Sequence, residues 1–89
     1  MSLIFNVEFS NEAKKYLKRQ DKETVVRIFN AIELIRVNPS NHPNVKKMKG
    51  YEGEIYRLRV GGLRILFELL NDKIVIFIFK IGPRGDVYK

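Results

Sequence analysis

Arg57, Arg59 and Arg64, the lysines at 46, 47 and 49, and the pair Arg84 and Tyr88 are the residues whose types and spacing could do chemistry in this chain. Arginine offers planar, bidentate donors that suit phosphate oxygens, and lysine adds mobile positive charge. Arg57 and Arg59 share one side of a strand if their segment is extended, because side chains alternate with period two. His42 is the single histidine and cysteine is absent. A lone imidazole without a carboxylate or thiolate cluster does not make a metal site, so no metal and no cofactor is expected. His42 reads as a surface-loop residue.

These residues need elements to position them. Residues 3–9 alternate, with Leu3, Phe5, Val7 and Phe9 on one face and Ile4, Asn6 and Glu8 on the other, which predicts a strand. Ser10 or Asn11 then suits a helix N-cap, and Ala13, Tyr16 and Leu17 form the apolar stripe of a short first helix. Asp21 is a second N-cap. Behind it Val25, Ile28, Phe29, Ile32 and Ile35 recur at the helical period, so the pair forms a hairpin joined near Gln20. Asn38 and Pro39 should end the second helix, since proline disfavours helical conformation in the preceding residue. Residues 40–53 read as a long basic loop carrying Lys46, Lys47 and Lys49. Three strands follow at 55–60, 63–70 and 73–81, joined by turns at Gly61 and Gly62 and at Asn71 and Asp72. The order is β, α, α, β, β, β: an α+β fold with an antiparallel sheet and a two-helix hairpin on one face, in a single domain spanning 1–89.

A two-residue turn at Gly61 and Gly62 sets a register. Val60 then faces Leu63, Leu58 faces Ile65 and Tyr56 faces Phe67 on the apolar side that takes the helices. Arg59 faces Arg64, Arg57 faces Leu66 and Ile55 faces Glu68 on the other side. Like charges directly opposite are destabilising in a sheet, so the Arg59 and Arg64 pair points to an anionic ligand, or to Glu68 bridging the arginines as a charge partner. A two-residue turn at Asn71 and Asp72 would set Phe77 opposite Leu66 and Phe79 opposite Arg64, as packing residues or as stacking platforms. Arg84 and Tyr88 follow the last strand closely enough to be delivered to the arginine face.

Composition narrows the class of protein. Seventeen Lys and Arg against ten Asp and Glu give a net charge of +7. Residues 42–89 carry ten basic and five acidic groups, against seven and five in residues 1–41, so most of the excess lies in the second half. A polyanionic partner fits this asymmetry. A hydrophobic fraction of 45% argues against disorder. The longest apolar run, residues 74–79, is far short of the ~20 residues that span a bilayer. No secretory signal is recognisable, Met1 and Ser2 are given no role, and a cytoplasmic, membrane-free protein is expected.

The stretch Tyr56-Arg57-Leu58-Arg59-Val60-Gly61-Gly62-Leu63-Arg64-Ile65-Leu66-Phe67, followed by Asn71-Asp72 and by Ile81-Gly82-Pro83-Arg84-Gly85-Asp86-Val87-Tyr88, resembles the RelE side of the RelE/ParE toxin superfamily. Lys46-Lys47-Met48-Lys49-Gly50 is similar to the family's basic segment, so the resemblance covers nearly the whole chain. It implies the toxin of a type II toxin-antitoxin system, an endoribonuclease that cuts messenger RNA in the ribosomal A site and is held in a hetero-oligomer by a cognate antitoxin. On the matching positions it implies that Arg64 holds the scissile phosphate, that Arg84 stabilises the transition state, and that Tyr88 activates the 2′-hydroxyl or stacks. Arg57, Arg59 and the lysines at 46, 47 and 49 would bind RNA.

The chain departs from the family at three points. Pro83 stands where many relatives carry histidine, Leu63 where they carry an aromatic residue, and Ile55 where some carry lysine. Cleavage then rests on orientation and charge stabilisation. Arginine stays protonated and is a poor proton donor, whereas neighbouring Arg64 and Arg84 would favour the phenolate of Tyr88, which makes it the candidate base. Glu68 is a charge partner of the arginines or, alternatively, an acid or base. Two other functions share these features: a ParE-like inhibitor of DNA gyrase, and an RNA-binding relic of a toxin with weakened catalysis.

Overall fold

The computed structural model describes residues 4–83. The first strand, β1 (Asn6–Phe9), turns Val7 and Phe9 inward and leaves Asn6 and Glu8 exposed. Ser10 then caps helix α1 (Asn11–Lys18): its hydroxyl accepts from the Ala13 amide at 3.1 Å and donates to the Phe79 carbonyl at 2.9 Å. One side chain thus starts the helix and ties it to the last strand. Asp21 caps helix α2 (Lys22–Ile35) by accepting from the Thr24 amide at 3.2 Å.

Helix α2 ends at Ile35, short of the stop expected at Asn38 and Pro39. Its cap residue Arg36 is engaged elsewhere. The Arg36 carbonyl accepts from the Phe5 amide at 2.9 Å, and its Nε donates to the Phe5 carbonyl at 2.8 Å. A long-range pairing with the chain just before β1 therefore terminates the helix ahead of the local signal.

The expected basic loop contains a short strand, β2 (Val45–Lys47), which pairs antiparallel with β3 (Ile55–Val60). β4 (Leu63–Leu70) and β5 (Val75–Pro83) complete a five-stranded sheet in the order β1-β5-β4-β3-β2. The α+β class and the helical hairpin are as expected, but the sheet is mixed, because β1 runs parallel to β5. The two helices between β1 and the hairpins carry the chain across one face, and a crossover of that kind permits parallel pairing. That face holds the core: Ala13, Ile28, Ile32 and Ile35 pack on Tyr56, Leu58, Val60, Ile65, Phe67, Leu69, Ile76, Ile78 and Ile81.

The β3–β4 register is the expected one throughout, including Arg59 opposite Arg64. The β4–β5 register differs. The turn occupies four residues, 71–74, with Ile74 at φ 55°, and Leu70 therefore faces Val75. Phe77 lies opposite Glu68 and not Leu66. A slip of two residues leaves every side chain on its face, so hydrophobic alternation cannot distinguish the two registers. A bulge then intervenes, since Phe67 pairs with Ile78 while Leu66 pairs with Lys80. Phe79 is the extra residue. Strict alternation after Ile76 and Ile78 would turn Lys80 into the core, whereas the bulge places Ile81 there instead. As a result Gly82, not Phe79, lies opposite Arg64.

Candidate functional site

The sheet face away from the helices can be read as rows of neighbouring side chains. One row crosses four strands as Lys46, Arg57, Leu66 and Lys80. The next, two residues along, runs Arg59, Arg64 and Gly82. Adjacent rows are about 7 Å apart and adjacent strands about 4.8 Å. Lys46, Arg57, Arg59 and Arg64 thus crowd into a patch two rows deep and three strands wide. On the far side lie Ile55, Glu68, Phe77 and Glu8, so the face is basic at one end and acidic and apolar at the other.

Arg64 is the unusual member. Only 4% of it is exposed, yet no acid among the described residues lies within 4 Å of its guanidinium. Its one hydrogen bond among the described residues is a long 3.4 Å contact from Nη1 to the Leu63 carbonyl, and its buried Nε has no described partner. Buried cations are ordinarily paired, because an unpaired one loses its hydration without compensation. Gly82 opposite it contributes no side chain to fill the adjacent position. Arg57 is half-buried beside it and Arg59 is exposed.

The other expected residues divide. Lys46 shares the face through its pairing with Arg57. Lys47 pairs with Tyr56 and so belongs to the helix side, where its Nζ lies 3.7 Å from Glu54. Glu54 also accepts from the Tyr56 hydroxyl at 3.0 Å, and the Tyr56 pKa is raised, first by burial and then by this carboxylate. The structure therefore does not bring Lys47 to the arginines. Lys49 is exposed in the loop between β2 and β3. Arg84 and Tyr88 lie outside the described residues.

Glu68 makes no ion pair among the described residues, contrary to its expected role as charge partner. It lies one row beyond Arg57. Its carboxylate packs on Gly53, where an added Cβ would come within 3.0 Å of Oε2. Lys80, by contrast, is a site residue that sequence reasoning missed, because only the bulge turns it to this face. It lies 3.9 Å from Glu12 of α1. His42 accepts from the Asn44 amide at 3.1 Å within its own turn. No group of three or more carboxylate, imidazole or thiol side chains among the described residues could hold a metal ion. A larger concavity of about 350 Å³ between β1 and α2 lies on the helix side, remote from the arginines.

The family described as the ParE toxin of type II toxin-antitoxin systems, parDE, matches residues 7–88. A relative from Methanocaldococcus jannaschii that carries the name RelE1 is 33% identical over 87 residues, covering 96% of each chain. The chain belongs to the RelE/ParE superfamily of type II toxin-antitoxin toxins.

Solved structures agree on the fold. RelE in the archaeal RelE-RelB complex of Pyrococcus horikoshii superposes with a TM-score of 0.80 at 24% identity, over 93% of this chain and 98% of that one. RelE of the Methanococcus jannaschii RelB-RelE antitoxin-toxin complex gives 0.69 at 29% identity, over 92% and 95%. The isolated E. coli RelE toxin gives 0.76 at 19% identity, over 94% and 90%. No described helix is long and apolar enough to cross a membrane.

Proposed function

We propose that the chain is a single toxin domain that cleaves messenger RNA on the ribosome. The observation that carries this reading is Arg64, a buried guanidinium with no acid beside it among the described residues, on a face it shares with Arg57, Arg59 and Lys46. A phosphodiester is the ligand that would complete such a group. Arg64 holds the scissile phosphate, and Arg84, on the segment after β5, meets the charge that builds as the 2′-oxygen attacks phosphorus. Tyr88, as its phenolate, takes the 2′-hydroxyl proton as the 2′-oxygen bonds to phosphorus and the P–O5′ bond breaks. The products are a 2′,3′-cyclic phosphate and, once O5′ has taken a proton from water, a 5′-hydroxyl. Guanidinium groups supply the positive charge that a metal cation would otherwise bring, so the reaction is proposed to be metal-independent.

RelB accompanies RelE in the P. horikoshii and M. jannaschii complexes. By analogy, this toxin is held by a cognate antitoxin in a hetero-oligomer, through an acidic or amphipathic segment that neutralises the arginine face. Its site of action is the cytoplasm, where messages are translated. The test is primer-extension mapping of messages in a translation extract supplied with the protein. Cuts at defined codon positions are expected, and none from an Arg64→Ala, Tyr88→Ala variant; equal cutting by that variant overturns the assignment.

A second reading is favoured by the ParE description of the matching family. It is inhibition of DNA gyrase, and linear DNA appearing in a gyrase reaction only when this protein is added would establish it in place of RNA cleavage.

A further inference from the structure

We infer that the RNA strand leaving the arginine face crosses the open edge of β5, and that Lys15 of helix α1 and Arg19 at its C-terminal cap hold its flanking phosphates. The inference rests on the proposed RNA substrate. β1 covers β5 only as far as the Phe9–Ile78 pair, so from Lys80 to Pro83 no described strand lies beside the edge of β5. Helix α1 flanks that open stretch instead. Glu12, Lys15, Tyr16 and Arg19 line a groove of about 260 Å³ whose opposite wall is Ile81. Ile81 precedes Gly82, and Gly82 lies opposite Arg64. The groove therefore lies one strand over from Arg64, around the edge of β5.

Its charge fits the same ligand. Lys15 and Arg19 are one helical turn apart, an i, i+4 pair of like charges that weakens an isolated helix. Both are exposed, and no acid among the described residues lies within 4 Å of either. Glu12, the one acid in the groove, already faces Lys80 at 3.9 Å. Arg64, Lys80, Lys15 and Arg19 thus follow one another from the sheet face, over the edge, onto the helix. A continuous basic track of this kind suits a flexible phosphodiester backbone and needs no base recognition.

The test is fluorescence anisotropy of labelled 2′-O-methyl oligouridines, which cannot be cleaved, with three and twelve nucleotides. For the Lys15→Gln, Arg19→Gln variant the twelve-mer should bind about tenfold more weakly near 0.1 M salt. Two lost phosphate contacts on a single strand should lower the slope of log K against log salt by about 1.4. The three-mer should bind as before, and Lys15→Arg, Arg19→Lys should restore the twelve-mer. Equal weakening of both oligomers, or of neither, overturns the inference. If the three-mer binds and depends on Arg64 while the twelve-mer ignores the helix substitutions, only the track is wrong. If neither oligomer depends on Arg64, the RNA reading itself fails. Thermal melting by circular dichroism checks the fold, and two exposed substitutions to a good helix former should leave it unchanged.

Discussion

Replacing Arg64 by methionine should make the protein more stable while abolishing the proposed RNA cleavage. Among the described residues, Arg64 is 4% exposed, its Nε has no partner, and its single hydrogen bond is the 3.4 Å approach to the Leu63 carbonyl. A buried donor left unsatisfied costs about 1–3 kcal/mol. Exchanging buried ionic groups for apolar ones of similar volume is neutral or stabilising by about 1–4 kcal/mol. The substitution also removes the like-charge pairing with Arg59 across the hairpin. A gain of about 2 kcal/mol is expected. For a domain of this size that raises Tm by about 8–16 °C.

The assay is urea and thermal unfolding of both proteins, with the denaturant slope unchanged. Inorganic phosphate supplies a second arm. At ten times its dissociation constant it should stabilise the parent by about 1.4 kcal/mol through mass action and leave the methionine variant unaffected. A variant destabilised by more than about 1 kcal/mol would refute the reasoning, because Arg64 would then be holding the sheet together and not awaiting a ligand. A phosphate response retained in full would refute it equally.

Three further outcomes follow from the fold. Ser10→Ala removes both the α1 cap and the tie to the Phe79 carbonyl, so urea unfolding should show a loss of about 1–2 kcal/mol. Phe67→Ala empties a fully buried position stacked on Tyr56 at 5.6 Å, and calorimetry should register a loss of about 3–5 kcal/mol. The Tyr56 hydroxyl has its pKa raised above 10.0, chiefly by burial, so the folded state favours the protonated phenol. That stability is present below pH ~10 and is lost as pH rises through the folded pKa, because the unfolded chain ionises first. Alkaline unfolding curves of the Tyr56→Phe variant should accordingly be flatter above pH ~10 than those of the parent.

The amino-acid sequence by itself determined whatever depends on local pattern. Ser10 and Asp21 announce the two helices, because a short oxygen-bearing side chain satisfies the free amides of a first turn wherever it stands. The Gly61 and Gly62 turn sets Arg59 opposite Arg64 without help from the rest of the chain, and the resemblance to RelE toxins rests on that same stretch. What lay beyond local pattern was decided by tertiary structure. The parallel pairing of β1 with β5 and the early end of α2 at Arg36 both depend on segments some thirty or more residues apart meeting in space. The four-residue turn before β5 preserves every face, so periodicity is blind to it. The bulge at Phe79 is the solution to a local conflict, in which alternation would bury Lys80, and only the packed core resolves it in favour of Ile81. That bulge turns Lys80 outward and sets Gly82 against Arg64. Thus the sequence named most of the cations, and the packing of β5 decided which of them stand together and which one is buried with no described acid beside it.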